Sequence, residues 1–439
     1  MFCIVPAASS IWTYSSEMSW TPDPRPDWVA AVNRGEVGPV VDEARRPFDP
    51  DLLMAEALVR QGRAADDRSA FGGDDFVEPL TLFCHGLEHE ADLTVMGRWM
   101  SRRMILRLLE VRIQLNDYLA ADPGTLQEPI EEPIFVIGAP RTGTTVIHGV
   151  LAQDPAHRAP EGWELLRPVP PPHPDPDIRS ADPRIALAGA ELVMPQTVAS
   201  GMLAIHEYSG RMFKECLSAM SFEFRSEEMV SRTDVPTYQG WYDSADLRPA
   251  YRTYRKVLQV LQRRMPTRRW VLKSPAHLQG LPALLEVFDD ARFVITHRDP
   301  TAILPSVTSL IATMRWAHSD RVDFAAIGRY HLELYGRSLD SLIDLIDSGR
   351  LAPDRTAQVP HRLVSTDKLA AARSVYEQLG MNLAPKTEAA IADYAAATPP
   401  GKHGEHRYQF EDLGLTRAEV RARFARYIDR FDIPVAGDG

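Results

Sequence analysis

Pro140-Arg141-Thr142-Gly143-Thr144-Thr145 combines a guanidinium, a glycine and three hydroxyls directly behind an apolar run. A turn of this kind grips an oxyanion, because a guanidinium offers paired N–H groups and glycine lets the backbone come close. Gly138 and Gly143 have the spacing of the loop that cradles ATP and GTP phosphates, but Thr144 stands where that loop carries its lysine. The reach to a β/γ-phosphate is therefore missing, which counts against a kinase or GTPase. Taken alone, the stretch also fits a glycine-containing turn in some other α/β protein.

Three further groups of residues could do chemistry. Lys273-Ser274-Pro275-Ala276-His277 brings together a cation, a hydroxyl and an imidazole. A histidine that titrates near neutrality can take a proton from an acceptor hydroxyl, although His277 reads equally well as a helix-capping or structural residue. Arg298 and Ser306 follow a second apolar run. The stretch Pro399 to Phe410 is a basic, glycine-punctuated loop with Lys402, His403 and Arg407 as donors. His403 and His406 have no cysteine or paired carboxylate nearby, so no metal site is expected.

The elements that must position these groups follow from pattern. Ile134 to Ile137 read as a buried parallel strand, and Thr144 and Thr145 open a helix whose first amides point at an anion. Trp270 to Lys273 and Ala291 to His297 read as two more strands, the latter followed by a helix with Pro300 in its first turn. Before them, Met104, Ile105, Leu108, Leu109, Val111 and Leu115 have helical spacing, with Arg102, Arg103, Arg107 and Arg112 read as a solvated face. Thr416 and Glu419 form a capping-box pattern ahead of a C-terminal helix. Arg167 to Pro176 is too rich in proline for helix or central strand.

The order Pro140 to Thr145 resembles the loop of sulfotransferases that use 3′-phosphoadenosine 5′-phosphosulfate (PAPS), where it holds the 5′-phosphosulfate. The resemblance covers most of the chain and is strongest from Pro133 to Ser309. It implies an α/β fold like that of P-loop NTPases, a parallel sheet wrapped by helices with the nucleotide at the strand C-termini. It further implies that Arg141, Thr142, Gly143, Thr144 and Thr145 bind the cofactor, and that Arg298 and Ser306 bind its 3′-phosphate. A loop like that of Lys402, His403 and Arg407 closes over the same phosphate in the family. Cytosolic members carry Lys-Thr-His at the strand end, with the histidine as base. Here two extra residues separate Lys273 from His277, and Glu161, Glu164, His206 and Glu207 are held in reserve for that role. The implied reaction transfers a sulfuryl group to a hydroxyl of a small-molecule acceptor, giving a sulfate ester and 3′-phosphoadenosine 5′-phosphate (PAP). The alternatives are a PAPS- or PAP-binding protein without turnover and, further off, a P-loop kinase.

Composition fits these expectations. The chain has 439 residues, 44% hydrophobic and 25% charged, as in ordinary soluble globular proteins. Residues 1–130 are expected to form a helical region packed on an α/β domain spanning 131–439, because motifs spread from Gly138 to Arg407 must converge on one nucleotide. A net charge of −11 argues against general nucleic-acid binding but not against an anionic cofactor held by local cations. Three scattered cysteines fit a reducing compartment. The N-terminus reads as neither signal peptide nor anchor, and Met18 is an alternative start. With no apolar run long enough to span a bilayer, a cytoplasmic location is expected; the oligomeric state, homo-oligomer included, is left open. Pro195 to Ala250, rich in methionine and aromatic residues, reads as core or as an acceptor pocket and its lid.

Overall fold

The computed structural model describes residues 20–204, 209–266, 268–398 and 409–435. Its centre is a sheet of five parallel strands, β1 (Ile134–Ile137), β2 (His157–Arg158), β3 (Arg269–Lys273), β4 (Arg292–His297) and β5 (Thr356–Pro360), in the order β2-β3-β1-β4-β5. Continuous apolar runs suit strands covered on both faces. Phe135, Ile137, Leu272, Phe293 and Ile295 enter one core, while Ile134, Val136, Val271 and Val294 enter a second on the opposite face. Register sets the strand ends level: Val136 pairs with Lys273 and Ile137 with Ile295. The C-terminal edge of β1, β3 and β4 is thus one ledge, the place where open α/β sheets bind ligands.

Helices cover both faces. Ile147, Leu151, Val364, Val375 and Tyr376 pack under the smaller core. The larger core takes residues from helices Pro50–Arg60, Val77–His89 and the long Val95–Ala121, so the N-terminal helices and the sheet share one interior. This layering changes the expectation for the basic residues of the long helix. Arg103 is exposed, but Arg102 and Arg107 are buried. Arg102 pairs with Glu56, and Arg112 lies 2.7 Å from Glu223. A helix flanked by other layers has no wholly solvated face, and its cations are tolerated because carboxylates meet them.

Of the residues between Pro195 and Ala250, Met220, Phe222, Phe224, Tyr238 and Tyr242 belong to the main core, whereas Met202 joins a separate cluster with Val198 and Met100. Thr416 and Glu419 form the expected capping box, the Thr416 hydroxyl accepting from the Glu419 amide at 3.1 Å. Among the described residues no helix is long and apolar enough to cross a membrane.

Candidate active site

The loop between β1 and helix Thr144–Leu151 has an unusual backbone. Gly138, Arg141 and Gly143 all have positive φ, at +151°, +68° and +100°. A β-carbon at Gly143 would lie 2.9 Å from Val364 Cγ1, and one at Gly138 would strike Thr296, so sterics as well as φ require glycine at both. Arg141 has no such excuse: a left-handed non-glycine residue costs about 1–2 kcal/mol and persists where surrounding structure holds it. Thr142 is part of that hold. Fully buried, it donates to Ala139 O at 2.7 Å and meets Thr296 Oγ1 at 2.6 Å. Thr142, expected among the cofactor contacts, is therefore the fastener of the loop. Gly143 caps the helix with no side-chain hydrogen bond, so its first-turn amides remain for an anion.

Beside the loop, β4 and the following helix bring up two more of the expected residues. Arg141 Nε donates to Ser306 Oγ at 3.2 Å, and Arg298 Nη1 donates to Arg141 O at 2.8 Å. Asp299 starts helix Pro300–Trp316 by accepting from the Thr301 amide, which sets the helix carrying Ser306. Tyr427, from the last helix, fixes the end of β4: its hydroxyl accepts from the Arg298 amide at 3.3 Å and meets His297 Nδ1 at 3.1 Å. His361 also belongs here, at the start of helix His361–Thr366 behind β5. Burial, and then the charges of Arg298 and Arg141, lower its pKa to about 4. Arg141 and Arg298 thus make one electropositive corner, with a neutral His361 beside them.

The other side of the loop holds Lys273, nearly buried at the end of β3. Its Nζ donates to Glu215 Oε1 at 2.6 Å and to Thr145 Oγ1 at 3.3 Å. The Cys216 amide, bonded to Lys273 O at 3.0 Å, holds the irregular segment carrying Glu215 against the strand end. Lys273 therefore bridges the first turn of the loop helix and a carboxylate. Thr144 is buried and Thr145 exposed beside it.

His277, expected as the base, is enclosed by its neighbours. It is fully buried, its Nδ1 meets the Tyr251 hydroxyl at 2.9 Å, and Phe135 lies edge-on at 5.1 Å. Burial lowers its pKa to about 3. Its Nε2 has no hydrogen-bond partner among the described residues, and the charges of Glu215 and Lys273 reach the ring. The reserve carboxylates are occupied. Glu164 pairs with Arg158 at 2.5 Å and accepts from the Glu161 amide, while Glu161 accepts from Trp163 Nε1 at 2.7 Å; together they cap helix Gly162–Leu166. His206, Glu207, Lys402, His403, His406 and Arg407 lie outside the described residues. Glu215 and His361 had not been expected. Glu215 has no motif around it, and His361 follows a strand whose pattern is broken by Gln358.

A family model described as the sulfotransferase family matches residues 133–385. Omega-hydroxy-beta-dihydromenaquinone-9 sulfotransferase Stf3 of Mycobacterium tuberculosis is 28% identical over 321 residues, 69% of this chain and 75% of the relative. The crystal structure of sulfotransferase STF9 from Mycobacterium avium superposes with a TM-score of 0.76 at 28% identity, covering 88% of this chain and 97% of that one. Sulfotransferase STF1 from Mycobacterium tuberculosis H37Rv gives 0.73 at 28% identity, covering 86% and 98%.

Proposed function

The chain belongs to the sulfotransferase family, and from that premise we propose that it moves the sulfuryl group of PAPS to the hydroxyl of a small-molecule acceptor. The family makes it a transferase enzyme; donor, acceptor and residue roles are our reading. One observation supports it above the rest, the position of Lys273 between Thr145 of the anion loop and Glu215.

PAPS supplies a sulfuryl group already bonded to a good leaving group, the 5′-phosphate. The uncapped amides after Gly143, with Arg141 and Thr145, hold the phosphosulfate, and Arg298, Ser306 and His361 take the 3′-phosphate. Glu215 accepts the acceptor's hydroxyl proton as the new bond from oxygen to sulfur forms. Lys273 turns to the bridging oxygen and neutralises its charge as the old sulfur–oxygen bond breaks. The products are a sulfate ester, PAP and a protonated Glu215 that returns its proton to water. Glu215 replaces His277 as the base because it touches Lys273 and is partly exposed, with 29% of its side chain accessible.

The mycobacterial relative is named for omega-hydroxy-beta-dihydromenaquinone-9, and from it we extend the class, a hydroxylated small molecule. A kinase reading has Thr144 against it, since the phosphate-reaching lysine is absent. Thermal unfolding with PAP, AMP and ATP–magnesium tests the donor assignment. PAP should raise the melting temperature most, because a ligand bound only by the folded state stabilises it. Stabilisation by ATP–magnesium in preference to PAP would overturn the reading.

A further inference from the structure

Glu215 sits in a stretch whose burial alternates: Phe213 and Glu215 are half-buried, Lys214 and Cys216 buried. That is the period of an extended chain, in which every second side chain leaves the same face. Backbone bonds hold it so. The Lys214 amide donates to Pro160 O at 3.0 Å and the Gly162 amide to Met212 O at 2.8 Å, which sets Phe213 opposite Glu161 in an antiparallel bridge. Cys216 points into the main core, its Sγ accepting from the Tyr254 hydroxyl at 3.1 Å. Phe213 and Glu215 therefore share the other face, about 7 Å apart along the chain.

That face adjoins the loop helix. Glu215 meets Lys273, which reaches Thr145, and the Phe213 ring stands edge-on to His148, one turn further along the same helix, with centroids 5.8 Å apart. Half-buried, Phe213 joins none of the hydrophobic clusters of the described residues. Opposite it, the Glu161 carboxylate is already taken by Trp163 Nε1 at 2.7 Å. Sheet order adds the direction of approach. β1 leads into the loop, β4 on one side brings Arg298, and β3 on the other brings Lys273. A nucleophile attacks sulfur opposite the leaving oxygen, so with the nucleotide on the β4 side the acceptor arrives on the β3 side, where Phe213 stands.

We propose that Phe213 is a specificity-determining residue for transfer: the acceptor's carbon skeleton lies against its ring while the hydroxyl meets Glu215, which selects an apolar alcohol or phenol over a polyol. A flat apolar skeleton gains burial and stacking there, whereas a sugar would lose water from several hydroxyls against an aromatic wall. The inference rests on the sulfuryl-transfer reading for the place of the hydroxyl, but the wall is testable without turnover.

Calorimetry of 2-naphthol into the PAP-loaded protein tests it. The wild type should bind 2-naphthol, and methyl glucoside about tenfold more weakly or less. Phe213→Ala should weaken 2-naphthol about tenfold, and Phe213→Trp, which keeps a ring, should stay within about threefold of the wild type. Both variants should retain the PAP-induced rise in melting temperature. If Phe213→Ala does not fold, Phe213→Leu carries the same test, with a loss of about threefold or more expected. A wild type that does not bind 2-naphthol or binds methyl glucoside equally well, an affinity unchanged by loss of the ring, or an equal loss in Phe213→Trp would each overturn the role of Phe213. A wild type that PAP does not stabilise would instead overturn the transfer reading, and 2-naphthol binding to the unloaded protein would then decide on Phe213 by itself.

Discussion

Lys273 and Glu215 form an ion pair of unequal exposure: Nζ and Oε1 are 2.6 Å apart, with 2% of the lysine side chain and 29% of the glutamate side chain accessible. A buried ammonium needs a partner, so Glu215 contributes to holding Lys273 in place. The carboxylate's other side remains reachable from the cleft. One residue pair thus connects strand β3, the loop helix through Thr145, and the irregular segment that carries Glu215.

Replacing that carboxylate by its amide separates proton transfer from placement. Glu215→Gln keeps an oxygen for Lys273 but removes the base, so turnover should fall by about 10²–10⁴-fold. PAP affinity, measured by calorimetry, should change little. Full turnover in Glu215→Gln would move the base elsewhere.

Arg298 donates to the Arg141 carbonyl and, in our reading, also meets the 3′-phosphate. Arg298→Ala should therefore weaken PAP about tenfold or more, the scale of one charged hydrogen bond, and AMP much less. Calorimetry with both nucleotides decides it. Equal losses would mean that Arg298 only shapes the loop.

Thr142 makes both of its hydrogen bonds inside the protein. Thr142→Val leaves Thr296 and the Ala139 carbonyl without their partner, at a cost of about 1–3 kcal/mol. Urea unfolding should show that loss, and PAP should bind more weakly because Arg141 depends on the fastened loop for its strained φ. A stable variant with unchanged PAP affinity would show that the loop does not rely on this hydroxyl.

Burial lowers the pKa of His148 and of His277 from an ordinary 6.5 to about 3. Both are neutral in the fold, whereas the unfolded chain protonates them below 6.5. Their contribution is complete above pH 6.5 and is lost as pH falls toward 3, by about 1.4 kcal/mol per histidine for each pH unit. His277→Gln should be less stable than wild type at pH 7.5 yet lose less between pH 6.5 and 5, while turnover of the folded variant stays at the wild-type level. A collapse of turnover with unchanged stability would restore His277 as the base.

The strands around the site were legible because each is a short apolar run ended by glycine, proline or a charged residue, as at Gly138 and Asp299. Arg141 was legible from the loop itself, whereas Arg298 and Ser306 were expected from the family resemblance; the structure joins the three by hydrogen bonds. What local pattern does not carry is which side of an element the rest of the chain will cover. His277 sits at a strand end in either case, and only the packing of Tyr251 and Phe135 turns it inward. Arg102 and Arg107 look like a solvated stripe until neighbouring helices enclose them. Glu215 is placed by a tertiary bond, the Cys216 amide to the Lys273 carbonyl, which leaves no trace in spacing.

The most direct test of the account is transfer itself. Purified protein is incubated with sulfur-labelled PAPS and a panel of hydroxylated small molecules, and label is followed into a sulfate ester for the wild type, Arg141→Ala and Glu215→Gln. The account predicts labelled ester and an equal amount of PAP with the wild type, and at least a hundredfold less with either variant, the scale expected for loss of a preorganised donor or base. Labelled ester formed at wild-type rates by Arg141→Ala and Glu215→Gln together would contradict the assignment of this loop and this carboxylate to the reaction.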